Sequence, residues 1–324
     1  MTMKNTLALV GSLCALAALI FSSPQVIASA RDALSLCAAL ILPSLFPFFT
    51  VSLLLSRLGL PQRLGRRLAP WAGKWFGVSG AGVTALLMGL AGGYPLGAAA
   101  VAELVSGGIV TKDEAERLLG FCNNSGPAFL VGAIGAGVFS SPAAGLLLYA
   151  AHVLAALLAG LLQRGRAISI HNTVNVSNCI PFYVAFPEAV KEAVSATLSV
   201  CGFVVCFSVL LGMLDARGLL TLAAARLAAL TGTEAQIVRA LLTGFFELGS
   251  GVGALRGLPL TPGNLALAAA LVGWGGLSVH CQTAAALADC ALSLRRHTRA
   301  RLLSAALSAA AAYLLALAFG PALW

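Results

Sequence analysis

Long apolar runs interrupted by short polar clusters dominate the pattern of this chain. Windows meeting or approaching the length of about 20 mostly apolar residues that crosses a bilayer recur at 6–21, 34–55, 78–105, 118–139, 142–162, 193–213, 236–255, 264–287 and 302–319. The strands of a membrane barrel would alternate apolar and polar positions over about ten residues. Here the runs are continuous and rich in Ala and Leu, so the pattern predicts an all-α polytopic membrane protein. Nine membrane segments are expected, some of them re-entrant.

The order of features repeats. A long span (34–55) leads into Arg57, Gly59 and an Arg-bearing amphipathic stretch, 63–75. The run Ala85, Leu86, Leu87, Met88, Gly89 follows, then the small-residue break Gly92, Gly93, Tyr94, Pro95, Leu96, Gly97, and later a segment interrupted at Asn123, Asn124, Ser125, Gly126 and Pro127. In the second half the span 193–213 is followed by Arg217 and Arg226, by Ala240, Leu241, Leu242, Thr243, Gly244, and by a break from Glu247 to Gly253. A segment interrupted at Ser278, Val279, His280, Cys281 and Gln282 closes this unit, and matching features lie roughly 155 residues apart. The predicted organisation is an N-terminal helix and loop (1–33), a first repeat (34–163), a connecting loop (164–192), and a second repeat with a C-terminal helix (193–324).

Charge chooses between two topologies. If every window crosses, Lys112, Arg117, Arg164, Arg166 and Lys191 face outward while Arg295, Arg296, Arg299 and Arg301 face the cytoplasm. Making 78–105 and 236–255 re-entrant hairpins moves the first five inside and sends Arg217 and Arg226 out, which satisfies the positive-inside rule better. The hairpin scheme also sets the two repeats in opposite orientations, the organisation of many secondary transporters.

Composition agrees with a membrane protein. Hydrophobic residues are 59% of 324 and charged ones 10%, against about 25% charged in soluble domains. The net charge of +9 sits in short loops beside apolar segments with no aromatic-studded basic patch, so no nucleic-acid partner is expected. Of the eight cysteines, only Cys179 falls in a clear loop and none forms a CxxC pair; neither a disulfide framework nor a metal site is predicted. Lys4, the run 6–21 and Ala28, Ser29, Ala30 imitate a signal peptide, but the run is long enough to remain as an uncleaved first helix.

The breaks carry the candidate chemistry. Broken helix in mid-membrane must line a cavity or be covered by protein. At Gly93, Tyr94 and Pro95 the backbone could meet a ligand or another helix, although a tight small-residue helix crossing would use the same residues. Asn123, Asn124, Ser125 and Gly126 place two amides and a hydroxyl in a span, where they could hydrogen-bond a cargo, coordinate a cation or serve helix contacts; Pro127 suits the first turn of a new half-helix. Glu247, a carboxylate at bilayer depth, is a candidate for ion coupling, with a contact to Arg239 as the structural alternative. Ser278 and Gln282 join the predicted substrate site, and His280 joins Glu247 as a proton or sodium coupling candidate. The run Arg295, Arg296, Arg299, Arg301 reads as a cytoplasmic anchor, with anionic lipid head groups as a further partner. No catalytic motif, cofactor fingerprint or metal constellation appears, so no enzyme and no cofactor is predicted. An oligomer is compatible with this composition.

Leu42, Pro43, Ser44, Leu45, Phe46, Pro47, Phe48, Phe49, then Gly93, Tyr94, Pro95, Leu96, Gly97, then Cys122, Asn123, Asn124, Ser125, Gly126, Pro127, in this order and spacing, resemble the sporulation integral membrane proteins of the YlbJ type. These are placed in the Gate, or nucleoside-recognition, domain group. The resemblance implies inverted repeats with re-entrant hairpins, related to concentrative nucleoside transporters. It also implies a multi-pass location in the mother-cell or outer forespore membrane and movement of dipicolinate during sporulation. The function expected is therefore a transporter or facilitator of a small organic anion. A nucleoside-type solute transporter and a non-transporting scaffold for spore maturation are the alternatives.

Overall fold

The computed structural model of the protein describes residues 3–165 and 180–323. Arg166 and the loop cysteine Cys179 lie outside these, as does most of the expected connecting loop. After α1 (Met3–Phe21), the described residues form two series of seven helices. The first is α2 (Ser23–Arg57, with a π-helical turn at Cys37–Ile41), α3 (Leu60–Trp75), α4 (Gly80–Ala91), α5 (Leu96–Ser106), α6 (Lys112–Leu118), α7 (Ala128–Val138, π-helical) and α8 (Pro142–Leu162). The second is α9 (Phe182–Ala216), α10 (Leu219–Thr231), α11 (Ala235–Phe246), α12 (Leu248–Gly253), α13 (Pro262–Trp274), α14 (Gly276–Ala286) and α15 (Arg295–Leu323).

The two series match element by element. Both open on a helix of 35 residues. Both then turn through a left-handed glycine, Gly59 and Gly218, into a shorter helix, amphipathic in the first half and largely apolar in the second. Thr111 and Thr261 cap α6 and α13 by accepting the N–H of the third residue on, and α7 and α14 are each 11 residues long. Such caps satisfy N–H groups that a helix start leaves unpaired.

The long helices α2 and α9 lie side by side in opposite directions. Ser22, just before α2, receives a hydrogen bond from Arg217 at the end of α9 (3.1 Å), and Ser29 packs on Gly212. Cys37 and Cys201 are in hydrogen-bond reach, and Arg57 at the far end pairs with Glu188 and Glu192 in the opening turns of α9. Equivalent helices therefore run antiparallel, the geometry of inverted repeats. The Ala28, Ser29, Ala30 triplet lies inside α2, and both long helices begin well before their apolar windows.

Among the described residues, five helices or helix pairs are long and apolar enough to cross a membrane: Ser23–Arg57, Pro142–Leu162, Phe182–Ala216, Pro262–Ala286 and Arg295–Gly320. The windows 78–105, 118–139 and 236–255 are instead cut into shorter helices, because glycines, prolines and buried polar side chains end each one in mid-segment. Charged groups gather at two ends. At one, Asp113 binds Arg117 and Arg296, Arg117 packs on Gly165, and Glu116 accepts from Ser293 N–H. At the other, Asp215 binds Arg239 and Arg256 donates to the Gly137 carbonyl. Lys112, Arg117 and Arg164 thus share an end with Arg296, as the hairpin scheme requires and full crossing of every window does not.

Candidate functional site

Hairpin α4–α5 presents Gly92, Gly93, Tyr94 and Pro95 at its tip, and the unwound stretch between α6 and α7 crosses that tip. The crossing is backbone against backbone. A Cβ on Gly93 would stand 2.6 Å from the Gly126 nitrogen, one on Gly126 would stand 2.8 Å from the Gly92 oxygen, and Gly89 and Gly97 press on the Cys122 carbonyl. Pro127 starts the next helix, as its fixed φ favours. The Tyr94–Pro95 peptide is cis.

In the second half, Glu247 adopts an extended conformation between α11 and α12. Its carboxylate accepts the N–H groups of Gly249 (2.8 Å) and Ser250 (2.5 Å), and the residue is only 2% exposed. Arg239 is not its partner: that guanidinium reaches Asp215 instead, at 2.7 Å. The second interruption does not fall at Ser278 to Gln282. It falls at Gly275 and Gly276, both at positive φ, which stop α13, while Ser278 and Gln282 project from the first turns of an intact α14. Polar side chains can leave an unbroken helix; two successive left-handed residues cannot continue one.

These parts converge. Gly93, Tyr94, Ser125, Gly126, Glu247, Ser278 and Gln282 line one small, half-open cavity of ≈ 50 Å³ together with Ile41, Leu45, Phe129, Val200 and Val204. Both halves contribute. Ser278 Oγ and Gln282 Oε1 have no partner among the described residues, nor do the Asn123 and Asn124 Oδ1 atoms just behind. Each such buried orphan costs about 1–3 kcal/mol, so several together single out this place as the candidate site. The volume admits a few waters and is far below the roughly 300 Å³ at which small-molecule pockets begin.

A larger, half-open space of ≈ 410 Å³ lies toward the Arg57 end, lined by Arg57, Gln62, Glu103 and Glu192 among apolar residues. Leu45 on the cavity side and Leu53, Met88 and Leu96 on the vestibule side belong, with Phe49, to one buried apolar cluster. That cluster contributes to the walls of both spaces.

The structure separates some expected site residues. Asn123 Nδ2 donates to Thr283 (2.8 Å) and Asn124 Nδ2 to the Phe121 carbonyl (2.7 Å), so both amides support the break from behind. Pro95 adjoins the tip without lining the cavity. His280 is absent from the lining; its ring lies on Trp274 (4.4 Å) and near His297 (5.2 Å). Two residues outside the predicted site prove central. His152, fully buried, accepts the Ser125 N–H at Nε2 (3.1 Å) and faces Ser308 with Nδ1. Arg301, read from the sequence as part of a surface anchor, is 0% exposed. It donates to the Tyr94 hydroxyl (2.9 Å), the Asn123 and Gly120 carbonyls (2.9 and 3.4 Å) and Ser304 (3.0 Å). Its sequence neighbours do remain outside: Arg296 is half exposed, and beside it Asp113, outside the spanning segments, is held below the ordinary carboxylate range by the Arg296 guanidinium and by Arg117.

The antiparallel halves, the interrupted helices and the shared cavity define a multi-pass membrane protein with the fold of a concentrative nucleoside transporter. The solved structure of a doubly substituted CNTnw in an outward-facing state superposes with a TM-score of 0.56 at 16% identity, covering 98% of this chain and 85% of that one. The chain belongs to the family of the sporulation integral membrane protein YlbJ. It is 31% identical to that protein of Bacillus subtilis (strain 168) over 326 aligned positions, 92% of this chain and 80% of the relative. No protein-family model matches the chain.

Proposed function

We propose that this protein is a secondary transporter or facilitator of a small organic anion of the dipicolinate type. It works by alternating access of two Gate-like repeats, 34–163 and 193–324, and acts in spore formation at the outer forespore membrane. The observation that carries the reading is the cavity at Gly93, Ser125, Glu247, Ser278 and Gln282. Its polar walls come from the interruptions and the first turns of α14, its apolar walls from α2 and α9, and Ser278 Oγ and Gln282 Oε1 are unpaired among the described residues.

An anion suits the surroundings. The one carboxylate in the lining, Glu247, already spends its charge on two backbone N–H groups, while the buried Arg301 stands behind Tyr94 without an acid. The cavity is too small for cargo in this conformation, so loading requires the hairpin tip to part from α2 and α9 and the Leu45, Met88, Leu96 seam to open toward the vestibule. Glu247 is the candidate proton or sodium partner; His280 is outside the lining, next to Val279, which is part of it.

A nucleoside-type cargo is the second reading, favoured by the fold shared with CNTnw and by the hydroxyl and amide acceptors of Ser278 and Gln282. Uptake of labelled dipicolinate and labelled uridine into proteoliposomes decides. Dipicolinate uptake upholds the proposal, uridine uptake alone replaces it with the second reading, and movement of neither leaves a membrane scaffold.

A further inference from the structure

Arg301 poses a physical question that cargo binding leaves unanswered. A guanidinium out of contact with water normally requires a carboxylate, and no carboxylate touches this one among the described residues. What surrounds it is oxygen of another kind: the Gly120 and Asn123 carbonyls, freed because the chain unwinds after α6, and the hydroxyls of Tyr94 and Ser304. The Oδ1 atom of Asn123, on the same residue as one of these carbonyls, has no partner. Carbonyl and hydroxyl oxygens converging at the end of a broken helix form a cradle for a cation. Here the cradle holds a side chain of the protein itself.

We infer that Arg301 is a resident cation that organises the site in place of an inorganic ion. It stands in the carbonyl cradle of the first interruption, and through Tyr94 it ties that interruption to the tip of hairpin α4–α5. Tyr94 in turn donates to the Val272 carbonyl at 3.2 Å, so the tie continues into α13 of the second half. Arg301 touches no cargo and is a positioning residue. The consequence is specific: closing the tip against the broken helix needs no sodium, because the positive charge arrives with α15. The inference rests on the transport reading for its functional meaning, but melting measurements test it without any transport, so the two can fail separately.

The test uses the purified full chain in lipid nanodiscs. Glu247→Gln, which lacks the candidate coupling carboxylate, is expected to melt at the same temperature in sodium chloride and in choline chloride. Arg301→Ala is expected to melt lower, and millimolar guanidinium is expected to raise its melting temperature by about 2–4 °C, while urea, a neutral molecule of the same shape, does not. Arg301→Lys should recover part of the loss. A role in packing alone predicts no difference between guanidinium and urea, and that result overturns the inference. So does a sodium-dependent rise in the melting of Glu247→Gln, in which the candidate coupling carboxylate is gone and which remains measurable should Arg301→Ala fail to fold.

Discussion

Gly93 and Gly126 meet through their main chains, the nitrogen of one residue lying 2.6 Å from where the other would carry a Cβ. This contact brings the hairpin tip and the broken helix close enough to share a cavity wall. Gly93 also holds φ at +91°, so Gly93→Ala meets both strain, costing about 1–3 kcal/mol, and a backbone clash. We expect the variant to melt lower and lose uptake. Gly202→Ala, in α9 with open space around it, serves as control and should leave melting unchanged or slightly raised; equal behaviour of the two would refute the contact.

Asn124 is completely buried, with its amide nitrogen on the Phe121 carbonyl and its oxygen unpaired. Asn124→Ala is expected to insert normally while dipicolinate uptake falls to background. Unchanged uptake would remove Asn124 from the site.

Glu247→Gln retains one acceptor for the α12 backbone but turns an NH2 group toward the second N–H. The expected cost is about 1–2 kcal/mol, since hydrogen bonds to charged groups are the stronger ones. Uptake by the variant should no longer respond to an imposed proton gradient. A response equal to wild type would exclude Glu247 from coupling.

Asp113 sits in the clasp with Arg296 and Arg117, and its carboxyl is held below the usual range. A depressed folded value means the clasp contributes at and above the ordinary aspartate value and is lost as pH falls through the folded one. The melting difference between wild type and Asp113→Asn should therefore stay constant from neutral pH to about 5 and close only below about 4. Its size should be under about 1 kcal/mol because Asp113 and Arg296 are each about half exposed, Arg117 being the buried member of the clasp. A difference that vanishes by about pH 6 would point to another group.

Single cysteines at Lys112 and Arg164 should react with membrane-impermeant reagent only from the cytoplasmic side, together with one at Arg296. External labelling of the first two would break the hairpin topology.

The sequence displays the interruptions plainly, since Asn123, Asn124 and Glu247 stand out within apolar runs. Proline and clustered glycine at Gly92, Gly93 and Pro95 likewise announce a helix that cannot continue. The second-half break is displaced by three residues because polar side chains at Ser278 and Gln282 attract attention, whereas Trp274, Gly275, Gly276 held the better signal. Arg301 is illegible for a different reason. It sits six residues after Arg295 in a basic run, and only the packing of α15 on α13 and α8 turns it inward while Arg296 faces out. His152 has no polar neighbours in its own helix; its partner, the Ser125 N–H, exists only because a distant helix unwinds.

The two helices of 35 residues have one more consequence. At 1.5 Å per residue each is about 52 Å long, and even a steep tilt of about 40° leaves roughly 40 Å along the bilayer normal, against a core of about 30 Å. Some length must stand clear of the hydrocarbon core, and the Arg57 to Glu192 pairing falls near such an end. In the proposed transport cycle that end would form a water-exposed rim, which leaves the short apolar seam below it as the part that has to move.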